Sequence, residues 1–473
     1  MRVVLAGFNI EAEGIDQLNR ETGQSYTPEV ISAAYARISR DPRGVGALRR
    51  DARREVERAR KSNEKIVYGL GHASIAEHAV FNFDIMQVSR LAVEEIERFR
   101  LASFTEKSQR YIRLGRDLVV PEEIKECGLE RVFSSTMARL HDAYEKLFKN
   151  VTRAGEEEGV AKEDARYVMP LATSAQLGMT VNARELEYMI GRMASHPLRE
   201  IQVLSSRLCR AARKVAPSLI RYPEPTTYLL NMPSIREEIA KSVRAWNASP
   251  GSGGGDVKLI SVTPDGDRRL AAGIIFSSGG MTMEQAMKAV SRLRSSKVAG
   301  IVKKTLSHIQ PHESVWREFE NIHLLFEVIV SAWCYAQLKR HRMATLITQP
   351  YDHSLGLSIP ASVRKARAVK FFRETVSRSE SLYRLIRKKS RHAAAYALTN
   401  AHRRRVLVDI NLRELYHFSR LRSDRTAQWE IRSVSDRMCI LSSRKLPAGS
   451  LLLCGKDSFR ERAERAGIFN RLL

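Results

Sequence analysis

The sequence RFRLASFTEKSQRY (98–111) returns in altered form as RHRMATLITQPYD (340–352). Both stretches begin with two arginines separated by one residue and then diverge. Two further pairs of segments occur in the same order on either side: HASIAEH (72–78) with HESVWRE (312–318), and NARELEYMIGR (182–192) with NLRELYHFSRLR (411–422). A repeat that keeps its order and its separations over this length indicates two diverged copies of one domain.

The boundary between the copies is predicted from composition. The chain has 473 residues, which suits two domains of about 200 residues each. The segment WNASPGSGGGD (246–256) has no apolar period and is rich in Gly, Ser and Pro, so it predicts a flexible linker. A strand-like run, VKLISVT (257–263), follows it and resembles VVLAGF (3–8). We therefore predict a first copy over 1–245, a linker over 246–256 and a second copy over 257–473.

The composition indicates a soluble globular protein, with 43% hydrophobic and 28% charged residues. The N-terminal apolar run is too short for a signal peptide. The longest apolar run (324–338) is shorter than the roughly 20 residues of a membrane span, so it predicts a buried helix. Five scattered cysteines without CxxC spacing are typical of reduced thiols. We expect a cytoplasmic protein that does not associate with membranes.

The net charge of +26 is the unusual bulk property. A surface this basic attracts polyanions, which are either nucleic acid or several small phosphorylated ligands that meet in one cleft. Charge alone does not choose between these partners. The basic runs at 49–61, 384–392 and 403–405 are also consistent with solvated helix faces.

The first copy of the arginine motif carries a candidate ligand-binding pattern. An apolar stripe with helical spacing precedes it and predicts a helix that ends at Arg98 and Arg100. Glu106, Ser108 and Arg110 then alternate, so an extended segment places them on one face. A guanidinium, a hydroxyl and a carboxylate suit a phosphorylated, hydrogen-bonding ligand, although an exposed strand with an ion pair has the same pattern.

The second copy has lost this pattern and has kept a different one. Thr348, Pro350 and Asp352 stand at the three alternating positions, and a carboxylate repels a phosphate. Asn411 and Arg422, in contrast, are eleven residues apart on a predicted helix, which brings them within about 20° of the same side. In the first copy Met193 holds that eleventh place, and the preceding Arg192 is rotated away by roughly 80°.

The sequence lacks the motifs of several common classes of active site. There is no P-loop motif, no HExxH and no Rossmann GxGxxG, and no nucleophile, base and orienter stand out as a triad. Cys334 lies in the long apolar run and is predicted to be a core residue. His392 and His402 lie among basic residues, so we predict that they face solvent, and we expect no metal site. Ser74 and Glu77 have the spacing of a capping box that opens a helix.

Taken together, the motifs resemble those of the flavin-dependent thymidylate synthases. The signature of that family, RHR-x2-S-x4-S-x-RY, is matched by the first copy except that Phe99 replaces the histidine. The HxSxxEH and NAR…LR…AQWEIR elements of the family are also present, the last as residues 411–432. The matching positions of the signature are Arg98, Arg100, Ser103, Ser108, Arg110 and Tyr111.

The resemblance implies an α/β fold, with an α+β mixed sheet and flanking long helices. It also implies an assembly that is normally a homotetramer. It implies reductive methylation of dUMP to dTMP, with FAD as cofactor and with NADPH and methylenetetrahydrofolate as co-substrates. No enzyme nucleophile is needed in that family. An arginine that corresponds to Arg422 stabilises the N3-deprotonated uracil and is the candidate catalytic residue.

The resemblance also implies which residues bind each ligand. For dUMP they are Glu106, Ser108, Gln109, Arg110 and Arg166 from one subunit, and Gln337, Arg340 and Arg422 from another. For FAD they are Ser74, Glu106, Arg340, His341, Arg342, Asn411, Arg413 and His417.

Each copy of this chain lacks residues that the other keeps. The second copy has Ala395 at the place of Arg166, and the first copy has Glu95 at the place of Gln337. We hypothesise one composite dUMP site built from both copies and one inactive site, in a homodimer that mimics four single domains. The alternatives are a flavin-dependent enzyme that acts on uridine in RNA, a nucleic-acid-binding relative, and a pseudoenzyme.

Overall fold

The computed structural model describes residues 1–10, 27–38, 41–107, 115–245 and 255–468. The first copy contains strands β1 to β4 and helices α1 to α10. The strands are β1 (Arg2–Phe8), β2 (Val80–Ser89), β3 (Ala102–Glu106) and β4 (Ser174–Asn182). The helices are α1 (Glu29–Arg37), α2 (Val45–Arg54), α3 (Val56–Glu64), α4 (Arg90–Ile96), α5 (Glu122–Glu126), α6 (Glu130–Arg153), α7 (Glu158–Ala165), α8 (Ala183–Ala194), α9 (Arg199–Arg213) and α10 (Thr227–Ala245).

The second copy repeats most of this order. Its strands are β5 (Val257–Val262), β6 (His323–Ser331), β7 (Thr345–Thr348) and β8 (Arg403–Asn411). Its helices are α11 (Gly266–Ser277), α12 (Met283–Ser291), α13 (Ser295–Thr305), α14 (Ala332–Leu338), α15 (Ala361–Lys365), α16 (Val369–Arg387), α17 (Leu412–Arg422), α18 (Trp429–Ser443) and α19 (Phe459–Arg465). Among the described residues of each copy, three α-helices separate the first two strands and three α-helices follow the last strand.

Each copy forms a four-stranded sheet with the same topology. The strand orders are β1-β2-β4-β3 and β5-β6-β8-β7. The registers also correspond, because Val80 pairs with Asn182 in one sheet and His323 pairs with Asn411 in the other. All of these strand pairs are antiparallel. Together with the flanking helices, the two sheets confirm the predicted α/β fold in two tandem copies.

Alternation along the last strand of each sheet explains how the sheets cover a core. In β4 the side chains of Leu177, Met179 and Val181 are buried on one face. In β8 the side chains of Val408 and Ile410 occupy the same positions in the pattern. A strand with this period of two buries one face and leaves the other to solvent or to a ligand.

Serine and asparagine side chains fix the helices that carry the motifs. Ser89 and Ser331 cap α4 and α14, and each hydroxyl accepts a hydrogen bond from the backbone three residues later. Asn182 and Asn411 cap α8 and α17 in the same way. Such a cap satisfies a backbone N–H that has no partner within the helix, and it typically contributes about 1 kcal/mol.

The chain forms two compact units that do not coincide with the two copies. One unit comprises residues 1–250 and 360–399, and the other comprises 251–359 and 400–473. Thus α15 and α16 of the second copy belong to the unit that holds the first sheet. There Leu171 N–H donates to the Leu398 carbonyl at 2.7 Å, and Lys146 Nζ lies 4.6 Å from the centre of the Phe371 ring. The predicted linker, 246–256, lies mostly outside the described residues.

Three local predictions are wrong. The apolar run 324–338 is not one helix, because residues up to Ser331 form β6 and only Ala332–Leu338 are helical. Ser74 and Glu77 do not form a capping box, since a short 3-10 helix (Ala73–His78) begins after His72 without a side-chain cap. His402 is buried beside β8, whereas His392 is exposed as predicted. Among the described residues, no helix is long and apolar enough to span a bilayer.

Candidate functional site

The site in the second copy is built around the last residue of α17. Arg422 donates its Nε hydrogen to Nε2 of His341 at 2.9 Å. One of its terminal nitrogens lies 3.5 Å from the Gln337 carbonyl oxygen. The arginine that was predicted from helix geometry therefore lies against two residues of the segment that contains the RHR motif.

His341 is held in the neutral form by its surroundings. Its side chain is buried, and its ring packs edge-on against Phe418 with the centroids 4.6 Å apart. Burial, together with the positive charges of Arg422, His417 and Arg340, places the pKa of His341 well below its usual range. On the other side of the ring, Nδ1 lies 3.4 Å from Oε1 of Glu414.

Gln337 adds a backbone contact to Arg422 and a buried side-chain amide without an acceptor among the described residues. It lies in the last turn of α14, and its carbonyl oxygen faces Arg422. Its amide Nε2 is buried, and the described residues offer it no acceptor. A buried polar atom without a partner is costly, and a bound ligand oxygen is one way to satisfy it.

The other predicted FAD residues of the second copy surround this centre. Asn411 uses its Oδ1 to accept from the Glu414 N–H at 2.8 Å. Arg413 donates to the Val315 carbonyl and forms an ion pair with Glu320 at 2.8 Å. The remaining three, Arg340, Arg342 and His417, are exposed. The result is a surface rich in cationic and N–H groups, which favours an anionic ligand.

Three of these side chains also offer atoms of the kind that bind metals. One ligand atom each from His341, Glu414 and His417 lies within 4.8 Å of the others. However, the Arg422 hydrogen bond occupies Nε2 of His341, and the guanidinium groups nearby oppose a further cation. The charge balance thus favours a phosphate or an aromatic anion over a metal ion.

The corresponding place in the first copy has a different chemistry. Phe99 packs edge-to-face on Tyr188, with ring centroids 5.8 Å apart. Met193 is buried at the position that matches Arg422. The preceding Arg192 is exposed and lies over the Tyr188 ring. The arginine that the sequence predicts to be rotated away from the first site is thus directed to solvent.

The predicted residues of the first copy are only partly within the described structure. The side chain of Glu106, at the end of β3, is buried and forms an ion pair with Arg90. Arg166 is fully buried and donates Nε to the Lys162 carbonyl at 2.9 Å. Ser74 is exposed. Ser108, Gln109 and Arg110 lie outside the described residues, so their roles stay predictions.

Sequence reasoning missed two residues that contact predicted ones. Glu414, three residues after Asn411 and one after Arg413, faces His341. Arg90 neutralises Glu106 across 16 positions of sequence. A helical wheel places Glu414 roughly 80° away from Arg422, so helix geometry alone does not select it. No local pattern indicates the pairing of Arg90 with Glu106, since it depends on how a helix start meets a strand end.

Comparisons with known proteins agree with both copies. The family model for thymidylate synthase complementing protein matches residues 23–218 and 258–448. The flavin-dependent thymidylate synthase of Geobacter sulfurreducens is 35% identical over 203 residues, which are 42% of this chain and 83% of that protein. A Thermoplasma acidophilum protein, UPF0159 protein Ta1429, is 22% identical over 468 residues, which are 86% of this chain and 91% of that protein.

Among solved structures, thymidylate synthase X from Helicobacter pylori with FAD and dUMP is similar at 19% identity. The structural match covers 47% of this chain and 100% of the Helicobacter pylori chain, with a TM-score of 0.31. The assignment to a family does not depend on this likeness, since the family model alone covers more than half of the chain in two separate segments. The chain belongs to the flavin-dependent thymidylate synthase family, also described as the thymidylate synthase complementing proteins, and it carries two tandem copies of the family's domain.

Proposed function

We propose that this protein catalyses the reductive methylation of dUMP to dTMP, with FAD as cofactor and with NADPH and methylenetetrahydrofolate as co-substrates. Family membership supports the reaction class. The observation that carries the proposal for this chain is the placement of Arg422. Its guanidinium is fixed on neutral His341, beside a Gln337 amide that has no acceptor among the described residues.

Arg422 supplies electrostatic stabilisation to the pyrimidine. Loss of the N3 proton places negative charge on the uracil ring, and a fixed guanidinium close to that ring stabilises the charge without reorganisation. Gln337 Nε2 donates to a ring or sugar oxygen, which satisfies its unmet hydrogen bond. Arg340 is exposed at the edge of this group and binds the phosphate.

The residues present also fit FAD. The flavin supplies the hydride chemistry when it is bound. Arg340, His341, Arg342, Asn411, Arg413 and His417 would hold it in the second copy, with Ser74 and Glu106 from the first. The donor set is cationic and rich in N–H groups, which suits a diphosphate and an isoalloxazine edge.

Four of the five cysteines have surroundings that do not favour a nucleophilic thiolate. Burial raises the pKa of the thiols of Cys209 and Cys454, and it raises that of Cys439 to about 12. Cys334, close to Arg422, is fully buried, and its pKa is raised well above the usual value. A thiol that stays protonated is a poor nucleophile. These four environments support a reaction in which the protein positions and polarises while the cofactor carries out the redox step.

We also propose that one active site uses residues of both copies. The dUMP residues predicted in the first copy are Glu106, Ser108, Gln109, Arg110 and Arg166, and those in the second are Gln337, Arg340 and Arg422. The losses are complementary. The first copy has Met193 and Glu95 where the second has Arg422 and Gln337, and the second copy has Ala395 where the first has Arg166. A homodimer would then supply the four domains that the family normally assembles from four chains.

The direct test is an anaerobic assay of the purified protein with FAD, dUMP, methylenetetrahydrofolate and NADPH, in which dTMP formation is followed. We expect dTMP to form, and tritium to be released from dUMP labelled at C5. Absence of both, together with tight and strongly salt-dependent RNA binding, would favour the alternative enzyme that acts on uridine in RNA. Absence of both without RNA binding would favour a pseudoenzyme.

A further inference from the structure

We propose that Glu414 and His341 act as positioning residues that fix the guanidinium of Arg422 through a directional hydrogen-bond relay. The inference deepens the proposed function and rests on it, because it assigns a role to residues behind Arg422. The structure shows one hydrogen bond of this relay, in which Nε of Arg422 donates to Nε2 of His341 at 2.9 Å. On the other side of the ring, Nδ1 of His341 is buried without a hydrogen-bond partner among the described residues, and Oε1 of Glu414, the acceptor that we assign to it, lies 3.4 Å away.

The direction of the relay follows from the chemistry of arginine. The guanidinium Nε always carries a hydrogen, so Nε2 of His341 must be the acceptor and must be bare. A neutral imidazole then carries its hydrogen on Nδ1, which is the nitrogen that faces Glu414. The carboxylate thus selects the tautomer that can accept from Arg422. An imidazolium would present a second hydrogen to the guanidinium and would repel it.

The first copy provides an internal comparison. Glu185 stands at the same place in α8 as Glu414 in α17, and both follow an asparagine cap by three residues. However, Phe99 and Met193 replace the histidine and the arginine. Glu185 accepts instead from the backbone N–H of Leu101. The copy that lacks the arginine also lacks the acceptor, which is the pattern expected if the histidine serves the arginine.

The charges around His341 keep the relay in its working form. Arg422 and Arg340 face the ring with fixed positive charges, and His417 lies 5.8 Å away between ring centroids. The carboxylate of Glu414 lies on the opposite side of the ring, with Oε1 3.4 Å from Nδ1. Burial and the cations disfavour the imidazolium, and they hold the pKa of His341 well below its usual range. Phe418 packs edge-on against the ring and limits its rotation.

The first test measures the relay without turnover. Protein labelled with 15N in histidine and arginine is studied by NMR together with unlabelled dUMP. We expect His341 to show a protonated Nδ1 and a bare Nε2, and the Arg422 Nε–H to exchange slowly with solvent. Substitution His341→Leu should accelerate that exchange. A protonated Nε2, or an Arg422 exchange rate that the substitution leaves unchanged, overturns the relay whether or not the protein makes dTMP.

The second test separates positioning from folding. His341→Leu should lower kcat by about 10- to 100-fold through misplacement of the guanidinium, and His341→Gln, which keeps an acceptor close to the Nε2 position, should lose less turnover than His341→Leu. Glu414→Leu should lower kcat in the same way, and Glu414→Gln should restore it because the amide oxygen still accepts. Glu185→Leu is the matched control, with a similar buried glutamate lost from the first copy. If the Leu and Gln variants lose equal activity, or if Glu185→Leu is as damaging as Glu414→Leu, the residues do not act through Arg422.

These outcomes are distinguishable from failure of the proposed function. Wild-type protein that makes no dTMP contradicts the proposed function. A wrong tautomer in a protein that does make dTMP contradicts only the relay.

Discussion

Phe99 and Tyr188 lie with their ring centroids 5.8 Å apart, the same separation as between His341 and His417 in the other copy. One copy therefore has an apolar aromatic pair where the other has two imidazoles. The equal separation shows that the repeat register holds at the level of side chains. It also shows that the divergence between the copies is concentrated in the chemistry of the site and not in its framework.

The role of Arg422 is tested by replacing it with methionine, the residue that the first copy has at the corresponding position. Arg422→Met should lower kcat by about 10²- to 10³-fold, because the developing charge on the pyrimidine loses its fixed guanidinium. Steady-state dTMP formation measures the effect. Arg192→Met is the matched control, since Arg192 is exposed at the end of the equivalent helix. Normal turnover of Arg422→Met would refute the assignment.

Gln337 can be exchanged in the same manner. Gln337→Glu introduces the residue that the first copy has at Glu95, which forms an ion pair with Arg98 at 2.7 Å. The new carboxylate removes a donor and repels the nucleotide phosphate, so the Kd for dUMP should rise at least about 10-fold. Isothermal titration calorimetry measures the affinity. Glu95→Gln should leave it unchanged, and an equal effect of both substitutions would argue against the assigned site.

The serine caps predict a stability effect shared by both copies. Ser331 Oγ and N–H donate to Glu430 at 2.6 and 3.0 Å, and Ser89 does the same to Glu200 at 2.6 and 2.7 Å. Ser331→Ala and Ser89→Ala should each destabilise the fold by about 1–2 kcal/mol, since each loses a cap and a charge-assisted hydrogen bond. Thermal unfolding should show a midpoint lower by a few degrees in both. Unchanged midpoints would mean that the caps contribute nothing measurable.

The depressed pKa of His341 predicts a pH dependence of stability. The unfolded chain binds a proton at histidine near the ordinary pKa of about 6.5, while the folded chain does so only at a lower pH. The contribution of neutral His341 to the free energy of unfolding is complete above the unfolded pKa of about 6.5, and it is lost as the pH falls toward the lower pKa of the folded state. His341→Gln should therefore lose less stability than wild type between about pH 7.5 and pH 5.5.

Thermal midpoints across that pH range check this expectation. His196 and His392 also have lowered pKa values, but they are present in both proteins and cancel in the difference. Parallel pH profiles for wild type and variant would show that His341 is not held neutral by the fold.

The sequence predicted what depends on period and register. The two copies follow from the ordered repeat of three segments. The shared side of Asn411 and Arg422 and the displacement of Arg192 follow from 3.6 residues per turn applied to NLRELYHFSRLR and NARELEYMIGR. Sequence reasoning misjudged the run 324–338 because a continuous apolar run has the same composition in a buried strand and in a buried helix. The β-branched residues before Ser331 are the signal that favours the strand.

Contacts between residues that are distant in the sequence could not be predicted, for a physical reason. The Arg90 pairing with Glu106, the Glu414 contact with His341 and the burial of His402 depend on which elements meet, and one sequence does not encode that locally. The basic neighbours of His402 favoured an exposed position, but its place next to β8 buries it. Membership of residues 360–399 in the unit of the first sheet is likewise a tertiary property.

The central claim is that two unlike copies share one nucleotide site, and the stoichiometry of dUMP binding tests it most directly. Titration of FAD-loaded protein with dUMP should give one nucleotide per chain, and both Arg110→Ala and Arg422→Ala should abolish or strongly weaken that single binding event. Two nucleotides per chain, or normal dUMP affinity in either variant, would contradict a composite site.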